Sequence, residues 1–372
     1  FRSSDLVARL VKTIEQPDDK DIERQRGAPT LTPYTTTLTD EAQRRGIRVE
    51  MIHADPDLPI FDLVRGSTRV RCFNALTDRV GAATFHLLNS KRACHAWLVQ
   101  RRIPVPAQLA YDESDPKAAF AFLKQHAPVV VKPCSQWGAR GVSMGVRTAN
   151  ELHAAVRFAR RYEPDVILEE TVPGSDLRVI LVGGEWAAAI CRRPASVIGD
   201  GKHTLAQLIR RHNAQRRLAD PSNVIPWNAE TRRNLAELGR NANEVPVSGE
   251  RVQVRLTNNY HTGGTVEMVE RVPARALKIA QRIARELDLP LVGVDFLIDP
   301  HTRRITVIEV SPDMAISPPE GEAVAKKLLD HLFPFDIDHP SQSRFRSEIS
   351  VLSSTFGVFV LPTHEKCVSR HR

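Results

Sequence analysis

The chain has 372 residues, 42% hydrophobic and 26% charged, which allows two or three domains with a sizeable core and excludes wholesale disorder. Its 52 Lys and Arg against 44 Asp and Glu leave a formal charge of +8, an excess that suits phosphates and acidic peptides but is too evenly spread to imply nucleic acid. Five scattered cysteines with no CxxC pair argue against a disulfide scaffold or a zinc module and for reduced thiols in a cytosol; no apolar run reaches the roughly 18 residues of a membrane span.

The sequence opens at Phe1 rather than Met, which reads as a fragment or processed product, and its first thirty residues do not resemble a signal peptide. Residues 1–30 are charged and turn-rich, a helix followed by a linker. From Thr35 a polar-faced helix stops at Gly46 and delivers the alternating strand "IRVEMI", an α/β signature. A strand "STRVRCF" and one helix over Thr84–Arg101 follow, then the extended linker "IPVPAQ". "APVVVKPCSQWGARGVSMGV" reads as strand, Gly-containing loop and strand, with a helix over 150–162. The Gly183–Gly184 pair between apolar runs is a hairpin signal. Residues 200–250 are more polar and helical. A helix over 273–287, strands "VGVDFLID" and "ITVIEV" and a helix over about 320–332 complete the pattern, and residues 335–372 have no clear period.

Four groups of residues carry candidate chemistry. Lys132 closes a buried Val-Val-Val strand ahead of Gly138, Gly141 and Gly145, a combination that reaches polyphosphate or, blandly, makes an ordinary hairpin; no Walker loop is present. Glu169 ends an apolar strand and Asp176 lies seven residues on; they are either solvated turn carboxylates or acceptors for ribose and adenine. Arg255, Asn258 and Thr262 precede a Gly263–Gly264 turn, where the planar Arg fork suits carboxylate or phosphate and the alternative is a β-turn with polar neighbours. His261 beside them reads as a surface residue. Asp295 and Glu309, fourteen residues apart, stand inside apolar strands, where a carboxylate is costly unless paired or bound to a cation. Together they suit magnesium; otherwise each bonds a local Lys or Arg.

With these groups in this order, the chain resembles the ATP-grasp carboxylate–amine ligases, in particular the ATP-grasp part of cyanophycin synthetase and the glutathione-synthetase half of bifunctional glutathione-forming enzymes. The resemblance runs from about Thr35 to Pro334 and includes "EAQRRGIRVEMI", "VVVKP", "GDGKHTLAQLI", "LTNNYHTGGT" and "LPLVGVDFLID". It implies an α/β (α+β) chain of the ATP-grasp fold. A 1–30 extension would precede a small pre-ATP-grasp α/β domain over 31–90. The ATP-grasp domain would span 91–334, with a lid lobe at about 110–180 and a C-terminal lobe at about 181–334, and a 335–372 tail would follow.

The resemblance also implies roles. Lys91 and Lys132 would hold ATP phosphates under a lid loop of Gly138, Arg140, Gly141 and Val142. Glu169, Glu170 and Val172 would face adenine, and Asp176 the ribose. Asp295 and Glu309 would bind magnesium (or manganese) with Ser311, which stands where the family's Glu-x-Asn has Asn. Arg178, Arg255, Asn258, Thr262 and Gly263 would contact the acid substrate and the transferred phosphoryl group, with Arg255, Arg178 and Lys132 supplying catalytic charge. The implied reaction joins an amino acid or short, acidic peptide to an amine through an acyl-phosphate, with ATP and magnesium, in a cytoplasmic enzyme that needs no membrane or nucleic acid and has room for a homodimer. No GxSxG elbow or evident Cys–His pairing competes with it. The other readings are a catalytically weak or inactive nucleotide-binding module and a polyanion-binding protein. Neither the second ligase domain of cyanophycin synthetase nor the glutamate–cysteine ligase half is expected in this stretch.

Overall fold

The computed structural model describes residues 33–334 apart from 56–57, 137, 221–222, 315 and 317–318. The expectations for 1–30 and 335–372, and Trp137 in the lid loop, lie outside these residues. By internal contacts the chain divides between Leu332 and Phe333, and the elements below belong to the first unit.

Helix α1 (Pro33–Arg44) leads into a four-stranded antiparallel meander of β1 (Arg48–Asp55), β2 (Leu58–Arg65), β3 (Thr68–Phe73) and β4 (Leu76–Thr77). Phe61, Leu63, Val70 and Cys72 are buried, as is Asp62, which Arg69 and Arg71 pair from β3. The expected single helix over 84–101 is two, α2 (Ala82–Asn89) and α3 (Lys91–Gln100). Ser90 ends the first in an extended conformation and caps the second, its Oγ accepting from Ala93 N. A Ser at an N-cap satisfies a donor that the helix cannot, which favours a break there over a continuous helix.

Residues 108–170 form a second sheet in the order β5 (Gln108–Ala110), β8 (Val166–Glu170), β6 (Val129–Pro133) and β7 (Ser143–Val146). Helices α4 (Pro116–His126) and α5 (Ala149–Ala159) accompany it, and Ala119, Leu123, Val129, Val131, Leu152, Val156 and Leu168 make a core of its own. The chain enters and leaves this sheet at one point: Glu170 N donates to Ala107 O at 2.9 Å and Ala107 N to the Glu170 carboxylate at 3.1 Å.

The third sheet has the order β13 (Thr265–Met268), β10 (Glu185–Arg193), β9 (Ser175–Val182), β14 (Leu291–Ile298), β15 (Ile305–Ser311). Strand β9 therefore pairs with β10 and β14, and the second sheet ends at Glu170. The Gly183–Gly184 turn closes the β9–β10 hairpin. Helix α8 (Ala274–Glu286) packs Ala276, Ala280 and Ile283 against Leu177, Val179, Val292, Val294 and Phe296 on one face. Each large apolar side chain buried there contributes about 1.5–3 kcal/mol. Helix α9 (Gly321–Leu332) lies on β9 and β10. Between β10 and β13 the chain makes a two-stranded ribbon, β11 (Ser196–Ile198) with β12 (Arg251–Gln253), and helices α6 (Leu205–Ala219) and α7 (Ala229–Glu237).

Candidate active site

Where the second and third sheets meet, α3, β5, β8 and β15 border a narrow cleft, partly open to solvent. Leu88, Leu98, Val105, Ile308 and Val310 give it apolar walls; Lys91, Gln108, Glu169 and Glu309 supply polar groups. Apolar walls with a few convergent polar groups suit a heterocyclic base. Cys94 also lines it, its thiol pushed up to about 12 by burial and so a neutral wall at physiological pH. Three of the residues singled out in the sequence, Lys91, Glu169 and Glu309, thus share one cavity.

The lysines are already engaged. Lys132, 10% exposed, lies 2.7 Å from Glu169, 7% exposed, and Gln108 donates to the other oxygen of Glu169 at 3.2 Å. The pairing follows from register, since Val130 stands opposite Glu169 with Lys132 two residues on. Lys91 donates from Nζ to Gln136 O at 2.6 Å and stands 3.6 Å from Glu309. The loop that follows carries left-handed residues at Gly138, Ala139 and Gly141. Gly141 is required there: a Cβ would sit 2.8 Å from Pro133 Cγ and 2.9 Å from Tyr162. Arg140 is exposed and Val142 half-buried. Val172, also half-buried, lies in the connector 171–174 beyond Glu170.

The floor of the third sheet carries a charge quartet. Asp295 stands directly opposite Glu309 on β15 and opposite Arg178 on β9. Arg178 grips it with two bonds, 2.5 and 2.8 Å, and Arg192 adds a third at 2.8 Å while holding Asp176 through two bonds of 2.8 Å. Burial alone would push the Asp295 carboxyl up; Arg178 and Arg192 instead hold it well below the usual carboxylate range. The local-cation alternative for Asp295 is therefore what this geometry displays, and Asp176 is bonded to a guanidinium. Glu309 differs: it is 40% exposed. Arg192 was not singled out in the sequence; its signal was a second arginine at the end of an apolar strand, in the segment "AAAICRR".

The remaining candidates lie in the ribbon subdomain. Arg255, almost wholly buried, donates to Thr231 Oγ1 at 3.0 Å and contacts Asn228 at 3.4 Å, both at the start of α7. Thr262 Oγ1 donates to Asn259 O at 3.1 Å, and Asn258 is half-buried. Gly263 has φ of 88° and packs so closely on Ile225 that a Cβ has no room. The "LTNNYHTGGT" segment is thus a turn organised by Asn259, and His261 is exposed. In "GDGKHT", Asp200 accepts from Lys202 N, His203 N and His203 Nδ1, folding the loop into α6.

Ser311 Oγ donates to Asp313 O at 2.7 Å. Burial, with no charged group contributing, pushes the Asp313 carboxyl up to about 6. An acid raised above its unfolded value near 3.9 destabilises the fold once ionised, so Asp313→Asn is expected to stabilise the protein by about 2–3 kcal/mol at pH 8. The gain should shrink as pH falls through 6 and vanish below about 4. Urea melts of both forms at pH 8 and pH 4 check this.

The D-ala D-ala ligase C-terminus family model matches residues 110–201. Cyanophycin synthetase of Trichormus variabilis is 28% identical over 343 residues, covering 88% of this chain and 38% of that protein. The glutathione biosynthesis bifunctional protein of Streptococcus thermophilus is 28% identical over 257 residues, covering 64% of this chain and 34% of that protein. The chain therefore spans well under half the length of these curated relatives. The crystal structure of a bifunctional glutathione synthetase from Pasteurella multocida superimposes with a TM-score of 0.55 at 21% identity, over 82% of this chain and 44% of that one. The chain has the α+β ATP-grasp fold and is similar, along most of its length, to the ATP-grasp carboxylate–amine ligases.

Proposed function

We propose that the chain is an ATP-dependent carboxylate–amine ligase that forms an amide or peptide bond through an acyl-phosphate, with an amino acid or a short acidic peptide as the acid. The observation that carries this reading is the shared cavity of Lys91, Glu169 and Glu309, with Lys132 bonded to Glu169 and the Asp295 quartet one strand away. Its apolar walls are of the kind that suits a heterocyclic base. Among the described residues no three His, Cys, Asp or Glu gather as a metal cage. Magnesium is commonly held by one or two carboxylates together with nucleotide phosphates. Glu309 would be its principal ligand, with Asp295 across the ladder and Ser311 two residues on; manganese fits the same oxygens.

Bound magnesium would offset charge on the phosphates as the γ-phosphoryl group moves onto the acid. Lys91 and Lys132 would bind those phosphates, Lys132 exchanging the Glu169 carboxylate for a phosphate oxygen. Arg178 and Arg192 border the position where the acyl-phosphate forms and stabilise its charge. The loop 138–142 would exclude water until the amine attacks the acyl carbon, releasing phosphate and a proton. Arg255, Asn258, Thr262 and Gly263 would shape the acid pocket indirectly, through the turn and α7. Lys and Arg on α6 and around it favour an acidic acceptor. The free cysteines Cys72, Cys94, Cys134 and Cys191 agree with a reducing cytoplasm; no helix among the described residues is long and apolar enough to cross a membrane.

One observation favours a second reading. Asp295 is saturated by guanidinium groups, as it would be in a module that binds nucleotide without turnover. An ADP-release assay with Mg·ATP over a panel of the twenty amino acids and their γ-glutamyl and aspartyl dipeptides, taken as acids and amines in pairs, decides between them. Pair-dependent ADP supports the ligase; nucleotide binding with no stimulation by any pair supports the module.

A further inference from the structure

The face of the third sheet opposite α8 is divided. Helix α9 covers β9 and β10 at one end, and Asp176, Arg178, Arg192 and Asp295 occupy the other. Glu320, the residue that precedes α9, lies within the field of both arginines. It is 6% exposed, and its Oε2 has no hydrogen-bond partner. Gly321, next to it, lies against Ile316 and Thr37 of α1, each 3.3 Å from an added Cβ. Burial pushes the Glu320 carboxyl above its ordinary range against the pull of Arg178 and Arg192.

The quartet balances itself, two carboxylates against two guanidinium groups. Glu309, across the ladder from Asp295, is 40% exposed and has Lys91 at 3.6 Å; Glu320 is the buried anion near the arginines with an oxygen that no group bonds. A desolvated carboxylate with an unused oxygen is unfavourable unless a cation reaches it. A divalent ion asks for several oxygen ligands, and a lone carboxylate offers too few. A primary ammonium asks for less: it is compact, carries three N–H donors and makes a strong charge-assisted bond to one carboxylate oxygen.

Resting on the ligase reading, we propose that Glu320 binds the ammonium group of the amine substrate beside the acyl-phosphate, where it gives up one proton and the neutral nitrogen then attacks the acyl carbon as phosphate leaves. Both oxygens of Asp176 and of Asp295 already accept from guanidinium groups, so the free Glu320 oxygen is where an ammonium docks. The acid is held by its carboxylate and needs no second anion there. The amine class is then one with a primary ammonium, an amino acid or a peptide N-terminus, rather than ammonia delivered as a neutral molecule.

The test uses two nucleophiles with one acid. Hydroxylamine is largely uncharged at neutral pH and traps acyl-phosphates as hydroxamates without an ammonium site. For the acid and amine found by the panel, Glu320→Gln should raise the KM for the amine about tenfold or more. Hydroxamate formation from the same acid should stay within about twofold of the unsubstituted protein. Glu320→Asp, which keeps the charge one methylene shorter, should fall between. An unchanged amine KM overturns the proposal, as does a parallel loss of hydroxamate, which places Glu320 on the acid side or in a structural role.

If the unsubstituted protein yields neither ADP nor hydroxamate with any acid, the ligase reading fails on its own. The ammonium site is then read by thermal melting with n-propylammonium chloride against n-propanol. A rise with the cation alone that disappears in Glu320→Gln supports the site, and equal shifts in both proteins overturn it. Should Glu320→Gln not fold, Glu320→Asp is scored by the same comparisons.

Discussion

Asp295→Ala is expected to lower unfolding stability by about 3–5 kcal/mol, because it strands the Arg178 guanidinium in the interior of the third sheet and takes one partner from Arg192. Arg178 and Arg192 converge on this carboxylate with three bonds of 2.5–2.8 Å, and Arg192 is itself locked to Asp176. Asp295→Asn keeps the shape and removes the charge, so it should lose most of the same stability. Glu309→Ala, although directly across the ladder, should change stability by less than about 1 kcal/mol, since its side chain is 40% exposed and its lysine is 3.6 Å away. Both substitutions should abolish ligase turnover. Urea melts set beside ADP release separate the roles; an Asp295→Ala melt within 1 kcal/mol of the parent would show that the quartet is not built as described. The pH dependence has a definite sign. A carboxyl held below its unfolded value stabilises the fold fully above about pH 4 and loses that contribution as pH falls toward its folded value. The difference between parent and Asp295→Asn should therefore persist from neutral pH down through pH 4 and close only in stronger acid.

Lys132→Met should be severe in a different way. It leaves Glu169 buried and without its ammonium partner, at a cost of about 3–5 kcal/mol, and removes a cation from the proposed phosphate site, lowering kcat by about 10²–10³. Adding Glu169→Gln to Lys132→Met removes the uncompensated charge, so the double variant should recover most of the stability while remaining inactive. If stability and turnover return together, Lys132 acts only as a structural partner of Glu169. Equilibrium unfolding and ADP release on the parent and these two variants give the answer.

The ladder between Asp295 and Glu309 was legible in the sequence because a carboxylate inside an apolar strand is conspicuous, and two of them near one another suggested neighbouring strands. The partners were not legible. Whether Asp295 meets a metal or an arginine depends on β9 lying on one side of β14 and β15 on the other, a fact of sheet order that no spacing encodes. Strand β2 was missed because Pro59 and Asp62 interrupt its apolar pattern, and Asp62 belongs there only because Arg69 and Arg71 come back to it from β3. The three-residue strands β11 and β12 are too short to produce a period. Conversely, Lys132 at the end of "VVVKP" was conspicuous, and its pairing to Glu169 was hidden until β6 and β8 were found to be neighbours. The Gly263–Gly264 pair read as a turn, but that Gly263 packs against Ile225 with no room for a Cβ was not legible.

The meeting of Ala107 and Glu170 has a consequence for how such a chain is assembled and altered. A segment whose two ends are bonded to each other, and which encloses its own apolar core, can be exchanged as a cassette without retying the framework around it. Recombination or grafting at that seam would swap the second sheet while leaving the Asp295 quartet untouched, so the properties of this sheet and the stability of the base can be tuned separately.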